Sequence, residues 1–499
     1  MARGTVARWS LVAVVAALVP TSVGVSVAYG LTAGVVSVTV TTRQLVRIPS
    51  GFLGLSFEIR GVEAYTGSDS YAVNPAFEQL IRNLDPGQRP VLRLGGDTSD
   101  WTWVPIAGAR RPVGVRYSLT PTWFKVVKAL AEAVEARLII GVNLEVNGAG
   151  VAAAEARAIL AGIGSPWLEA LELGNEPDLY NVLPWFELHN VPYYGRPASW
   201  DFADYLHDYA TISRALPRFP LAGPDVGSAA WVGDLGRFLS SEPRVRIATV
   251  HRYALGCVPS KPATIAGLLS DSSTQGLGAG LGPALAAARV HRVPLRVDEM
   301  NAVSCGGQVG VSNTFAAALW SLDAQFELAR EGFDGVNIHT RVGNANELFS
   351  FDRVGRVWEA HVAPQYYGLL AFAQAAPAGS QLLGVVGTPS GPVHVWATRG
   401  SDGTERVVLI NLAMRVGRTV AVRAGSRGQT ATLRRLSAPR AAATGDVSLG
   451  GQGFSEETST GTLAGRPREA RVTRSGSGQY RVWLPAASAA ILTLARTGS

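Results

Sequence analysis

The sequence predicts an α/β chain in which a (β/α)8 barrel is followed by a β-sandwich domain. Three observations lead to this fold class. Eight short apolar runs alternate with helical patterns between residues 52 and 340, each run ends on a polar residue, and the pattern changes to alternating strands after Pro377. With 499 residues, of which 47% are hydrophobic and 17% charged, the chain is long enough for a barrel and a second module.

The first 33 residues are predicted to be an export signal. Arg3 and Arg8 form a basic start, an apolar stretch follows at 11–19, and Pro20 ends it. This stretch is short for a membrane-spanning helix, so we expect cleavage and secretion, with no stable membrane partner afterwards. An uncleaved N-terminal anchor is the alternative.

The barrel is predicted at residues 51–376. Uniformly apolar strands are typical of a buried parallel sheet, and eight strand–helix units match a barrel of about 250 residues plus insertions. The helices carry ordinary start signals, such as Thr120 as N-cap and Pro121 in the first turn. The strands are expected at 52–58, 91–97, 138–143, 168–176, 221–225, 246–254, 294–301 and 335–340.

Residues 377–499 are predicted to form the β-sandwich domain. Their apolar and polar residues alternate in short runs, and turns rich in glycine and serine separate these runs. The stretch 35–40 also has the pattern of a strand and precedes the barrel. We therefore expect the segment 34–50 to join the C-terminal sheet.

Charge and cysteine usage exclude several classes of function. The net charge is +7, but the C-terminal arginines are scattered among small residues without aromatic neighbours, so a nucleic-acid partner is not expected. The histidines and cysteines lack metal-ligand spacing and no dinucleotide-binding glycine motif is present, so neither a metal nor another cofactor is expected. Cys257 and Cys305 suit an exported protein with one disulfide; two buried thiols are the alternative.

Two glutamates end predicted strands that are three units apart. Glu176 ends the fourth run and Glu299 ends the seventh, and reactive groups of such barrels gather at the carboxyl ends of strands. Glycosidic cleavage requires one carboxyl that gives a proton to the leaving oxygen and one carboxylate that attacks the anomeric carbon. The sequence therefore predicts a glycosidic site across the mouth of the barrel.

Neighbouring residues leave some roles open. Asp298 competes with Glu299 as nucleophile, and because successive strand residues point to opposite faces, only one of them is expected to point inward. Glu172 is expected to be a structural hydrogen-bonding residue. His251 and His339 lie at strand ends, where each is either a pocket residue or a packed core histidine.

Six segments together resemble glycoside hydrolase family 79, which holds β-glucuronidases and heparanases. The likeness covers nearly the whole mature chain, including a C-terminal β-domain joined by an N-terminal strand. The Asn-Glu-Pro at 175–177 alone marks only the broader retaining-glycosidase clan, whereas the combination is more specific. The segments are 52–58 (FLGLSFE), 92–97 (LRLGGD), 171–178 (LELGNEPD), 299–307 (EMNAVSCGG), 364–376 (PQYYGLLAFAQAA) and 484–494 (LPAASAAILTL).

The resemblance implies hydrolysis with retention, in which Glu176 is the proton donor and Glu299 the nucleophile. It also implies how the sugar is held. The implied contacts are Asn175 at the 2-hydroxyl, Glu58 and Asp97 (or Asp100) at the other ring hydroxyls, Tyr253 beneath the nucleophile, and the backbone amides of Gly306 and Gly307 at a uronic carboxylate.

The chain departs from the family pattern at two places. Asp298 stands where members often carry glycine, and residues 302–305 lack the tyrosine that helps to hold the carboxylate, for which Ser304 or Arg341 could substitute. The expected activity is that of a retaining exo-β-glucuronidase acting on terminal glucuronic acid of extracellular glycans. A retaining β-glycosidase for xylosides or galactosides and a catalytically silent glycan-binding protein are the alternatives.

Overall fold

The computed structural model describes residues 35–387, 391–425 and 428–494, so the predicted export segment lies outside the described residues. The strands are β1 (Val36–Arg47), β2 (Leu53–Glu58), β3 (Val91–Gly95), β4 (Thr102–Trp103), β5 (Tyr117–Ser118), β6 (Arg137–Val142), β7 (Leu168–Leu173), β8 (Phe186–Leu188), β9 (Val191–Tyr193), β10 (Leu221–Val226), β11 (Val245–Leu255), β12 (Leu295–Val303), β13 (Gly335–Thr340), β14 (Phe349–Val354), β15 (Val357–Val362), β16 (Gln381–Val386), β17 (Val393–Arg399), β18 (Glu405–Asn411), β19 (Arg418–Arg423), β20 (Thr430–Ser437), β21 (Ser448–Leu449), β22 (Ala470–Thr473), β23 (Tyr480–Leu484) and β24 (Ser488–Leu494). The α-helices are α1 (Val62–Thr66), α2 (Pro75–Leu84), α3 (Pro121–Val134), α4 (Ala149–Ile163), α5 (Phe202–Ser213), α6 (Ala229–Gly233), α7 (Leu235–Ser241), α8 (Ile265–Leu268), α9 (Gly282–His291), α10 (Phe315–Glu331) and α11 (Pro364–Ala375).

The predicted barrel is confirmed. Eight parallel strands close in the order β2, β3, β6, β7, β10, β11, β12 and β13, and β13 pairs with β2. Each corresponds to one predicted apolar run, with ends that differ by a few residues. The predicted start of α3 is also observed, because the Thr120 side chain accepts a hydrogen bond of 3.1 Å from the Trp123 amide.

A ten-stranded sheet forms the second part of the fold. It contains β1, which pairs antiparallel with β16 and parallel with β19. On β18, Val407 and Leu409 lie in the sheet's own apolar core, whereas Val408 and Ile410 belong to the core that includes the barrel. Successive side chains of β18 point to opposite faces of the sheet, so one face packs in the sheet's own core and the other packs in the core shared with the barrel. Among the described residues, none of the helices has the length and apolar character needed to cross a membrane.

The strand β12 contains an irregularity beside the mouth of the barrel. Val250 of β11 pairs with Val297, but the next residue, His251, pairs with Glu299, so Asp298 is an extra residue in the ladder. Such a β-bulge changes the direction of the side chains that follow it and is frequent next to active sites.

Candidate active site

The centre of the site is Arg93, a fully buried residue on β3 that the sequence analysis did not single out. Its guanidinium joins six side chains that come from four other barrel strands or their ends, β2, β7, β10 and β12. The acceptors are Glu172 (from Nε, 2.6 Å), Ser56 and Glu299 (from Nη1, 3.3 and 2.6 Å), and Asn175 and Asp225 (from Nη2, 2.9 and 2.7 Å), and Asp298 of the same strand as Glu299 lies 3.4 Å from Nε. Glu172 therefore has the structural hydrogen-bonding position expected for it.

Glu299 is held at both carboxylate oxygens. Arg93 donates to Oε2, and the Tyr253 hydroxyl donates to Oε1 at 2.8 Å. His339 Nδ1 lies 3.6 Å from Oε2. Burial alone would raise the pKa of Glu299, but His339, His251 and Arg93 outweigh burial and hold the pKa well below its ordinary value. The carboxylate is thus kept ionised and fixed.

Glu176 has the opposite electrostatic environment. It lies just after β7 with φ of 47°, a left-handed conformation that non-glycine residues seldom adopt, and its amide donates to the Asp225 carbonyl oxygen at 2.9 Å. Burial raises the pKa of Glu176, although the adjacent His251 partly opposes the rise. The two carboxyls therefore have pKa values displaced in opposite directions, as acid–base division of labour requires.

His251 connects Glu176 to the buried network. Its Nδ1 lies 3.0 Å from Glu176 Oε1, and its Nε2 bonds Asp225 Oδ1. Burial disfavours the charged imidazolium, but the carboxylates of Asp225 and Glu299 outweigh burial and raise the pKa of His251 well above its ordinary value. His251 thus lies between Glu176 and the buried Asp225, which ends the fifth predicted run, and its role in the substrate pocket stays a prediction.

The structure brings the two predicted glutamates together. One oxygen each of Glu176 and Glu299 and one ring nitrogen of His251 all lie within 4.8 Å of one another. Atoms of Asp225, His251 and Asp298 have the same spacing, so either set has the geometry of a metal site. Arg93 and His251 already supply positive charge beside these carboxylates, and the absence of a metal remains a prediction.

The remaining acidic residues divide into one that faces the pocket and one that supports it. Asp97 is exposed, and its carboxylate lies 3.0 Å from the guanidinium of Arg341, which also lies 3.4 Å from Glu58. Asp100 is buried, and its oxygens accept hydrogen bonds from the amides of residues 144, 145 and 175 and from the Tyr180 hydroxyl. Of the two aspartates considered for a ring hydroxyl, Asp97 is the accessible one.

The glycine loop after β12 is packed against the loop after β13. Gly306 and Gly307 have φ of 82° and 90°, and a Cβ on either would overlap the side chains of Asn344 and Asn346. The Gly307 amide donates to the Ser304 carbonyl at 3.1 Å. Cys257 and Cys305 form a disulfide with Cα atoms 6.0 Å apart, which ties the end of β11 to this loop.

The expectation that only one of Asp298 and Glu299 points inward is wrong. Both carboxyls reach Arg93, because the bulge at Asp298 interrupts the alternation of side chains along β12. Glu299 is the one with its carboxylate at the pocket, with 9% of its side chain exposed, whereas Asp298 is fully buried beneath it.

Comparisons with known proteins agree with this fold. Residues 395–491 match the family model described as the glycosyl hydrolase family 79 C-terminal beta domain. A β-glucuronidase of Neurospora crassa is 26% identical over 415 residues, 72% of each chain. A β-glucuronidase of Aspergillus niger is 23% identical over 412 residues, 72% of this chain and 71% of its own. The resemblance to family 79 is confirmed. The chain is a glycoside hydrolase.

Solved structures extend the likeness in fold over most of the hydrolase. A 4-O-α-L-rhamnosyl-β-D-glucuronidase from Fusarium oxysporum superposes with a TM-score of 0.71 at 19% identity, covering 92% of this chain and 100% of that one. A GH51 arabinofuranosidase from Xanthomonas axonopodis pv. citri has a TM-score of 0.66 at 16% identity, with 92% and 99% covered. At these identities the likeness concerns the fold alone, a barrel with an attached β-domain.

Proposed function

We propose that the hydrolase is a retaining exo-β-glucuronidase in which Glu299 is the nucleophile and Glu176 the acid/base. The observation that carries this proposal is the approach of Glu176 and Glu299 oxygens to within 4.8 Å. Retaining enzymes place their carboxyls about 5–5.5 Å apart, whereas inverting enzymes leave about 6.5–9.5 Å for a water molecule.

The two steps follow from the two environments. Glu299, ionised and oriented by Arg93 and Tyr253, attacks the anomeric carbon while protonated Glu176 gives its proton to the leaving oxygen. This step forms a glycosyl ester on Glu299. Glu176, now a carboxylate beside His251, removes a proton from water, which attacks the ester and releases the sugar with its original configuration.

The preference for glucuronic acid is supported by the β-glucuronidase relatives and by a cation at the pocket. Asn175 lies beside Asp97, 3.5 Å away, where the 2- and 3-hydroxyls of one ring could be bound together. Arg341 is about one-third exposed and is the candidate partner for the uronic carboxylate, together with the Gly306 amide, since the Gly307 amide already donates to Ser304. Ser304 is less free, since its hydroxyl oxygen accepts the Cys257 amide at 3.1 Å.

Attack on terminal sugars is supported by the same arginine. Arg341 contacts both Asp97 and Glu58, which ties the loop after β13 to the ends of β2 and β3 at this side of the site. Release of free glucuronic acid, rather than of internal oligosaccharides, from a glucuronic-acid-terminated glycan is the expected product pattern.

A panel of 4-nitrophenyl glycosides tests the substrate class. We expect turnover of the β-glucuronide and little of the β-glucoside, β-xyloside or β-galactoside. Arg341→Met should lower kcat/KM for the glucuronide more than for the glucoside, and Arg353→Met, at an exposed position on β14, is the control. Activity on the neutral glycosides alone would overturn the uronide proposal, and no turnover of any glycoside would favour a glycan-binding protein.

Secretion is the second part of the proposal. It rests on the predicted export signal and on the Cys257–Cys305 disulfide, which is typical of oxidising compartments. Expression of the full chain with a C-terminal tag should yield protein in the medium, and N-terminal sequencing should locate the cleavage near residue 28 or 33. Retention of the uncleaved chain in the membrane fraction would favour the anchored alternative.

A further inference from the structure

Three carboxyl oxygens beneath the proposed nucleophile have no hydrogen-bond donor among the described side chains and backbone groups. They are both oxygens of Asp298 and Oε1 of Glu172. Both residues are fully buried, and both carboxyls face Arg93 Nε, Glu172 at 2.6 Å and Asp298 at 3.4 Å, so they lie side by side. Burial of an ionised carboxylate without a hydrogen-bond donor has an unfavourable free energy. The question is therefore whether Asp298 and Glu172 are both ionised.

The donors around Asp298 are already committed. Arg93 has five N–H groups, and its five acceptors are the side chains of residues 56, 172, 175, 225 and 299. The two ring nitrogens of His251 face Glu176 and Asp225. Asp298 lies 3.4 Å from Arg93 Nε and 4.0 Å from His251 Nε2 without a hydrogen bond to either.

The charges around Asp298 favour one additional proton at this cluster of carboxyls. The groups that face Asp298 are Glu172 on β7, Asp225 on β10, His251 on β11 and Arg93 on β3. Four ionised carboxylates, counting Glu299, would exceed the charge of one guanidinium and two imidazoliums, counting His339 beside Glu299, in a largely buried region. One added proton reduces this excess and also supplies the missing donor.

We propose that Asp298 is a neutral carboxylic acid that donates its proton to Glu172 Oε1, and that this acid–carboxylate pair fixes Arg93 beneath Glu299. Asp298 is thus a positioning residue, which acts through Glu172 and Arg93 and does not touch the sugar. The inference rests on the proposed role of Glu299 as nucleophile. Burial and the neighbouring carboxyls of Glu172 and Asp225 raise the pKa of Asp298 well above its ordinary value, which is consistent with a neutral acid.

Two variants of similar size separate the neutral acid from an ionised one. Asp298→Asn keeps the charge of a neutral acid and offers an amide N–H to Glu172, so kcat should stay within about threefold of wild type and the acid limb of the pH profile should not move. Asp298→Leu removes the donor, so kcat should fall by about tenfold or more while KM changes little. An acid limb that moves in Asp298→Asn, or full activity in Asp298→Leu, would overturn the proposal.

Infrared difference spectroscopy provides a readout that does not depend on turnover. Subtraction of the Asp298→Asn spectrum from that of the wild type should reveal one protonated carboxylic C=O band at neutral pH, and only carboxylate bands would contradict the proposal. If Asp298→Leu does not fold, the pH profile of Asp298→Asn and the infrared difference spectrum still test whether Asp298 is protonated. If no glycoside is hydrolysed, the proposed function fails, while the infrared band still reports the protonation of Asp298.

Discussion

Tyr253 donates a hydrogen bond of 2.8 Å to Glu299 Oε1. The other oxygen of Glu299 is held by Arg93, so the carboxylate has little freedom to rotate away from an anomeric carbon. Orientation of this kind is a large part of what a preorganised site contributes to catalysis.

Removal of the Tyr253 hydroxyl should therefore slow the attack. We expect Tyr253→Phe to lower kcat/KM by about 10- to 100-fold, as for the loss of a hydrogen bond to a charged group. Tyr366→Phe is the matched control, because its buried hydroxyl donates at 2.7 Å to the Leu80 carbonyl instead. Steady-state kinetics should show an unchanged kcat for the control, and equal losses in both variants would argue against a role of Tyr253 at the nucleophile.

Loss of the proposed acid should depend on the leaving group. Glu176→Ala should slow hydrolysis of alkyl glucuronides by about 10²- to 10⁴-fold, but affect far less the formation of the glycosyl ester from a dinitrophenyl glucuronide, which needs no protonation. Added azide should restore turnover of the activated substrate and yield a β-glucuronyl azide. Glu187→Gln, on the exposed strand β8, should behave as wild type. An equal loss for both leaving groups would contradict the role of Glu176.

The pH dependence of kcat/KM should be bell-shaped. Activity requires ionised Glu299 and protonated Glu176, so it falls as the pH drops through the pKa of Glu299 and as the pH rises through that of Glu176. Because the pKa of Glu299 is lowered and that of Glu176 is raised, the two limbs should lie on either side of about 4.3, the ordinary value for glutamate. An acid limb well above that value would be inconsistent with the cationic surroundings of Glu299.

A buried histidine of the β-domain pairs with an aspartate of a barrel helix, and its charge should affect the stability of the fold. His394 of β17 lies 2.6 Å from Asp323 of α10, and although burial opposes the charge, Asp323 raises the pKa of His394. The folded state therefore binds the proton more tightly than the unfolded state. This stabilisation is fully present below about pH 6.5 and is lost as the pH rises through the folded pKa.

Thermal unfolding between about pH 5.5 and 9 measures this contribution. The Tm of the wild type should fall towards high pH more steeply than that of His394→Asn. His361→Asn is the control, since its pair with Asp352 is exposed and should contribute little. Parallel curves for the wild type and His394→Asn would refute the contribution of this pair.

The disulfide should stabilise the fold by closing a long loop. Cys257 and Cys305 are 48 residues apart, and a bridge over such a loop is worth about 2–4 kcal/mol. We expect the double serine variant to lose this much free energy of unfolding in denaturant titrations. Reductant should destabilise the wild type but leave the variant unchanged; similar stability of both proteins without reductant would contradict the estimate.

Much of the site could be predicted from the sequence because the carboxyl ends of all the parallel strands lie at the same end of the barrel. Each apolar run ended on a polar residue, and closure of the barrel brought Glu58, Glu176, His251 and Glu299 to one rim. Tyr253 lies on the same rim, two residues after His251, because alternation along β11 returns its side chain to the same face.

Arg93 and the placement of Asp298 did not follow, for two different physical reasons. A charged residue within an apolar run is a signal, since a buried guanidinium needs carboxylates, but the strands that supply them are known only from the closed barrel. The inward position of Asp298 depends on a bulge in β12, and one extra residue in the ladder cannot be recognised in the sequence of a strand that is buried on both faces.

The configuration of the first sugar released tests the central claim most directly. Proton NMR of the hydrolysis of 4-nitrophenyl β-glucuronide should show β-glucuronic acid first, with the α-anomer appearing only later by mutarotation. This order is expected of two displacements through an ester on Glu299. The α-anomer as the first product would mean a single displacement by water, and Glu176 and Glu299 could not then act as acid/base and nucleophile.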